Sequence, residues 1–150
     1  MKDVKRLFVD TNILIFATNE LSEWRLAAER KLQEARQLGI ELIISAQILR
    51  EYLAAATRIS VMGQGLPLQK ILENVRIFRN EFTVVEDNPF VLDALIEILK
   101  TIPVAGKQVH DANIVATMQI HGVNHLLTHN TADFNRFSAL ITLLTIGAGI

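Results

Sequence analysis

"RLFVDTNILIF" occupies residues 6–16, and its apolar run is broken after Val9 by Asp10. Residues 7–9, "LFV", predict a buried strand, and "NILIFAT" (12–18) predicts a short helix or turn directly after it. Asp10 therefore stands at a strand-to-helix junction. An ionised carboxylate at the end of a buried strand loses its hydration, so it needs a cap, a cation or a metal beside it. The rest of the chain has to supply that partner.

Reading outward, strands and helices alternate. From Ser22 as N-cap, "EWRLAAERKLQEARQL" places Ala28, Leu32, Ala35 and Leu38 at helical spacing and ends at Gly39. "ELIIS" (41–45) is a second strand, followed by a helix with Ile48, Leu49, Tyr52, Leu53 and Ala56 on one stripe. "SVMGQGLP" (60–67) reads as a loop, and the next helix carries Leu68, Ile71, Leu72, Val75 and Phe78 on its apolar face. The two helices form a hairpin over 46–81. "TVVE" (83–86) is a third strand, and Asn88 with Pro89 opens a helix that "PVAGK" breaks. A helix over 109–122, a strand "HLLT" (125–128), a loop "HNTADFNRF" and a last strand "ALITLLTI" (139–146) complete the order. Alternation of this kind predicts an α/β fold with a mainly parallel central sheet flanked by helices on both faces.

The 150 residues predict a single domain, since that length buries about two-thirds of the unfolded surface without a staple. Half of the residues are hydrophobic and 21% are charged, a composition of folded globular proteins. The absence of cysteine excludes disulfides, thiolate metal sites and cysteine nucleophiles. With no stretch resembling a signal-peptide core or approaching the ~18 apolar residues of a membrane span, a cytoplasmic location is the default. A net charge of −1 gives no basic footprint for nucleic acid, and Lys100, Lys107 and Arg136 read as solvated charges rather than a patch.

Four acids share one structural address. Asp10 follows the first strand, Glu51 lies in the helix after the second, Asp111 is in the first turn of a late helix, and Asp133 is in the loop after the fourth strand. In an open parallel sheet the carboxyl ends of the strands line one edge, where such folds build their sites. Each acid alone has a plainer role: Asp10 as a helix cap, Glu51 as an exposed residue pairing with Gln47 or Arg58, Asp111 as a complement to the helix dipole, Asp133 as an Asx turn. Together they pose a charge problem. Two carboxylates ~4 Å apart repel by about 4 kcal/mol at an effective dielectric near 20, which a divalent cation relieves. Oxygen-only ligation favours Mg²⁺ or Mn²⁺, and His110, His121, His125 and His129 show no zinc-like spacing. His110 and His129 flank the proposed site and read as surface or capping histidines.

The stretches "FVDTNILI" (8–15), "ISAQILREYL" (44–53), "VHDANIVATM" (109–118) and "LLTHNTADFNRF" (126–137) resemble the PIN-domain family, and within it VapC-like toxins of toxin–antitoxin pairs. The first and last are fairly specific and the middle two are weak alone. The resemblance implies a three-layer α/β/α PIN-like fold whose acidic pocket binds Mg²⁺ or Mn²⁺ and hydrolyses RNA. By motif, Asp10, Glu51 and Asp111 correspond to the core carboxylates. The fourth position falls to Asp133 or the Asn130 amide, with Asp133 preferred and Asn130 and Thr128 supporting it. Thr11 and Asn12 organise the Asp10 turn. Asp10 and Asp111 would hold the metal directly, with Glu51 and Asp133 completing the shell, and water attack in line at phosphorus leaves a 5′-phosphate and a 3′-hydroxyl. A cognate antitoxin and a homodimer, formed through the 46–81 hairpin, are the implied partners.

Other readings fit less well. A haloacid-dehalogenase-type phosphatase also begins with a strand ending in Asp, but needs a second acid where Asn12 stands, and a receiver domain needs a Lys after the last strand, absent from "ALITLLTIGAGI". The non-enzymatic alternative is an inert PIN-like module that binds RNA or protein.

Overall fold

The computed structural model describes residues 3–147 and residue 149. Among these, strands β1 (Arg6–Val9), β2 (Glu41–Ser45), β3 (Thr83–Val85), β4 (His125–Leu127) and β5 (Thr142–Leu144) form one sheet in the order β3-β2-β1-β4-β5. Every pair is parallel, with Leu7 opposite Leu42 and Phe8 opposite Leu126. The central strands are continuous apolar runs because helices cover both faces. Leu7, Phe8, Val9, Ile43, Ile44, Leu126 and Leu127 are fully buried.

The connecting helices are α1 (Thr11–Thr18), α2 (Arg25–Gln37), α3 (Ala46–Val61), α4 (Leu68–Glu81), α5 (Pro89–Thr101), α6 (Gln108–Ile120) and α7 (Thr131–Phe134). With right-handed crossovers, the steps from β1 through β2 to β3 place α1–α4 on one face, and the return to β4 and β5 places α5–α7 on the other. Helix contacts follow that division: α1 packs on α2 and α3, α3 on α4, and α6 on α5 and α7. The strand order reverses between β1 and β4, so the crevice of this sheet opens at their carboxyl ends.

Local chemistry explains the element ends. α2 and α6 both stop in Schellman motifs: Gly39 (φ +73°) and Gly122 (φ +68°) take the left-handed turn, while Ile40 and Val123 donate back to the carbonyls of Ala35 and Met118. These turns aim the chain into β2 and towards β4. The Asn88 side chain caps α5 by accepting from the amides of Phe90 and Val91, with Pro89 at the first position.

Several expectations are corrected. α2 starts at Arg25, because the Ser22 hydroxyl accepts from the Trp24 amide in a turn and the helical ladder begins only at Trp24. Leu38 is the C-cap, its amide still bonded to the Glu34 carbonyl, and its side chain is exposed. α4 buries Ile71, Asn74 and Phe78 and leaves Leu68 and Leu72 in solvent. The inward Asn74 is tolerated because its amide donates to the Tyr52 hydroxyl at 3.1 Å, which also bonds Thr18 Oγ1 at 2.9 Å. The segment after β4 is no plain loop: α7 and a 3-10 turn (Asn135–Phe137) bury Phe134 and Phe137. The last strand shrinks to Thr142–Leu144, since Leu140 and Ile141 still bond back to Phe137. No helix among the described residues is long and apolar enough to cross a membrane.

Candidate metal-binding acidic site

Asp10 closes β1 and opens α1. Its amide donates to the Leu127 carbonyl at 3.0 Å, which extends the β1–β4 ladder by one rung, and its extended backbone makes it the N-cap of α1. The side chain is 6% exposed. Oδ1 accepts from the Thr11 amide (2.8 Å), and Oδ2 accepts from Thr128 Oγ1 (2.7 Å) and Asn12 Nδ2 (3.3 Å). Three donors do not offset burial: loss of solvation, reinforced by the charge of Asp133, raises the carboxyl above its ordinary range.

The donors belong to a network that ties β4 to α1. Thr128, fully buried, also accepts from the Asn130 amide (3.0 Å), and Asn12 Oδ1 accepts from the His129 amide (3.2 Å). On the facing helix α3, Glu51 Oε2 accepts from Thr11 Oγ1 at 3.2 Å. Its carboxyl is likewise raised, first by burial and then by Asp10. Of its two expected partners, Gln47 eases it through a side-chain hydrogen bond, whereas Arg58 forms no ion pair with it among the described residues. Arg58 has no hydrogen-bond or ion-pair partner for its guanidinium among the described residues, and it lines the pocket with Asp10, Thr11, Asn12, Glu51, Asp111 and Asn130.

Asp111 comes from the first turn of α6. α6 is clamped to α3 by Gln47, buried to 5% exposure, whose Nε2 donates to the His110 carbonyl (2.9 Å) and whose Oε1 accepts from Asn113 Nδ2 (2.7 Å). This clamp sets Asp111 against Glu51. Burial, then Asp10, Asp133 and Glu51, push the Asp111 carboxyl from 3.8 up to about 7, opposed by Arg136. Arg136 is itself held by Pro103 O and Gln108 Oε1. Asn130 stands in the pocket wall, whereas Asp133 is exposed and acts on Asp10 and Asp111 by charge from the rim.

The sequence model of the PIN domain matches residues 7–140. The chain belongs to the PIN domain family. No curated protein matches this PIN domain by sequence. Its fold is similar to that of VapC20 from Mycobacterium tuberculosis, a sarcin-ricin loop cleaving toxin, with a TM-score of 0.70, 14% identity, and coverage of 91% of this chain and 96% of that one. A DNA-bound VapBC from Salmonella typhimurium gives a TM-score of 0.68 at 18% identity, covering 94% and 98%. A toxin–antitoxin complex from Klebsiella pneumoniae gives 0.64 at 21%, covering 93% and 97%.

The pocket of this PIN domain has the oxygen-only donor chemistry of a hard divalent cation, and its carboxyls raise one another's proton affinity as such a cation would reverse. As they stand, no three acidic or histidine side chains among the described residues converge on one point. Gln47 and Arg58, named from the sequence only as pairing partners for Glu51, also shape the site; they lie on α3 four and seven residues from Glu51.

Because the folded Asp111 carboxyl titrates above its unfolded value, its contribution to stability is complete below pH ~4 and is lost as pH rises towards 7. Asp10 and Glu51 act in the same direction. Urea unfolding in EDTA should therefore show Asp111→Asn to be more stable than the parent at pH 8, by roughly 1 kcal/mol after discounting for the solvent-facing side of the carboxyl, and the gain should vanish at pH 4. A parent that is as stable at pH 8 as at pH 5 relative to this variant would contradict the assignment.

Proposed function

We propose that this PIN domain is a Mg²⁺- or Mn²⁺-dependent endoribonuclease and the toxin member of a cytoplasmic toxin–antitoxin pair. The observation that carries the reading is the pocket at the β1–β4 crevice, where Asp10, Glu51 and Asp111 all bind protons more tightly than free carboxylates. Nuclease activity with divalent metals is typical of the family to which the chain belongs. Asp10 and Asp111 would hold the ion, with Glu51 beside them and Asp133 adding charge from the rim. A bound divalent ion would supply the positive charge that polarises the phosphodiester and acidifies a water.

The protein's own residues do the rest. Thr128 and Asn12 fix the Asp10 carboxylate, Thr11 fixes Glu51, and the unpaired Arg58 guanidinium offers donors to a phosphate oxygen. Asp111 would have to be deprotonated to hold the ion, so metal affinity is expected to fall as pH drops through about 7. Attack of water on phosphorus forms one P–O bond and breaks the bond to the 3′-oxygen, which leaves with a proton. The products carry a 5′-phosphate and a 3′-hydroxyl.

The partner reading rests on structures of similar fold described as toxin–antitoxin complexes, so an antitoxin chain is proposed here also. A homodimer through the α3–α4 hairpin is supported by Val61, Met62, Leu68 and Leu72, apolar side chains that are more than half exposed there.

Incubated with RNA and Mn²⁺, the protein should cut internally and leave 5′-phosphate ends, EDTA and Asp10→Ala should each abolish cleavage, and Thr128→Val, which removes the hydroxyl that donates to Asp10 Oδ2 and accepts from the Asn130 amide and Asn12 Nδ2, should cost about 10–100-fold. Cyclic 2′,3′-phosphate ends would exclude the mechanism, and RNA binding without cleavage, indifferent to Asp10→Ala, would favour the inert module. In solution at micromolar concentration the mass should be that of a dimer; a monomer would remove the hairpin interface.

A further inference from the structure

Trp24 is the chain's one tryptophan, and it is 38% exposed at the start of α2, outside the hydrophobic core. Its ring lies 4.5 Å from that of His129, tilted by 49°, and His129 in turn meets Phe16 edge-on at 5.2 Å. Phe16 lines the acidic pocket beside Asp10, Glu51 and Asp111. Three rings thus run from the pocket wall outwards to solvent. Their position relative to the carboxylates is fixed, because His129 directly follows Thr128 and its amide is held by Asn12, the same two residues that hold Asp10. His129 is therefore neither a solvated histidine nor a helix cap.

We infer that Trp24, supported by His129, is a stacking ledge for an unpaired RNA base next to the phosphate bound in the acidic pocket. The inference rests on the RNA-cleaving reading above. An acidic pocket on a chain of net charge −1 offers a polyanion little electrostatic attraction beyond Arg58 and a bound ion, so binding gains from contacts that do not depend on charge. Stacking of a base on an aromatic face is such a contact, and it tolerates any base. A duplex keeps its base faces covered, so the ledge selects single strands, loops or ends.

Because the protein holds one tryptophan, emission excited at the red edge, where Tyr52 does not absorb, reports this ring alone. The full-length Asp10→Asn protein with Mg²⁺, which binds without cutting, is titrated with a 12-nucleotide oligoadenylate RNA, the same RNA in duplex with oligouridylate, and an inorganic polyphosphate of similar charge. The ledge predicts saturable quenching by the single strand, little by the duplex and none by polyphosphate. Measured by anisotropy of a labelled oligoadenylate, Trp24→Leu should raise Kd about 5- to 150-fold, the span of one base–aromatic stack, and Trp24→Phe, which keeps a ring, should recover most of the loss. Oligoadenylate bound with silent emission and unchanged Kd in Trp24→Leu overturns the ledge and leaves the nuclease reading intact. Quenching by the single strand in a protein that never cleaves RNA upholds the ledge and overturns the nuclease. Binding of neither probe overturns both, and a ring that serves a protein partner instead gives that result for the ledge.

Discussion

The hydrogen bond from Thr128 Oγ1 to Asp10 Oδ2 joins the two strands at which the sheet reverses its order. Asp10 ends β1 and Thr128 follows β4, residues 118 positions apart in the chain. Around that bond the Asp10 amide extends the β1–β4 ladder, Asn12 staples the segment after β4 to α1, and Thr11 reaches across to Glu51. A buried carboxylate with fewer donors would be costly to keep at this point. The donors come from two different crossovers, so the site exists only once the whole sheet is assembled.

The same arrangement works against stability. Burial and mutual repulsion raise the proton affinity of Asp10, Glu51 and Asp111, and none of the three has a cationic side chain as an ion-pair partner among the described residues. Arg136 eases Asp111 only from a distance, since its guanidinium is spent on Pro103 and Gln108. Six acids elsewhere do have such partners: Glu29, Glu34, Glu41, Glu73, Glu81 and Glu97 each pair with a Lys or Arg. Among the described residues, the three acids whose proton affinity burial raises all lie in this one pocket, the pattern expected of the cation site proposed above.

Most of the fold was legible because its signals are local. "LFV", "ELIIS" and "HLLT" are apolar runs of strand length, and Gly39, Gly122 and Asn88 mark helix ends by their own conformational chemistry. The strand order was not legible, since nothing local says that β4 lies beside β1. The α2 start and the last strand were misread over local turns, whereas two other errors trace to a partner further along the chain. Asn74 is buried against Tyr52, Leu68 and Leu72 are exposed as a result, and Phe134 and Phe137 fold a polar-looking loop onto the core. At the site, the convergence of Asp10, Glu51 and Asp111 on one pocket could be read from their places relative to the strands, while Asp133 stands exposed outside the pocket lining. Gln47, which orients α6 through His110 and Asn113, and the Phe16–His129–Trp24 row could not, because their roles depend on contacts across 63 to more than 100 residues.

The central claim is that these carboxylates form one cation site, and thermal unfolding tests it without knowledge of the substrate. The protein is melted in EDTA and in Mn²⁺ or Mg²⁺, alongside Asp10→Ala and Asp111→Ala. A cation that binds only the folded state at ~100 times its Kd stabilises by about 2.7 kcal/mol, so the Tm of the parent should rise with metal and neither variant should respond. A parent Tm indifferent to the cation, or a rise that both variants share, would contradict the account.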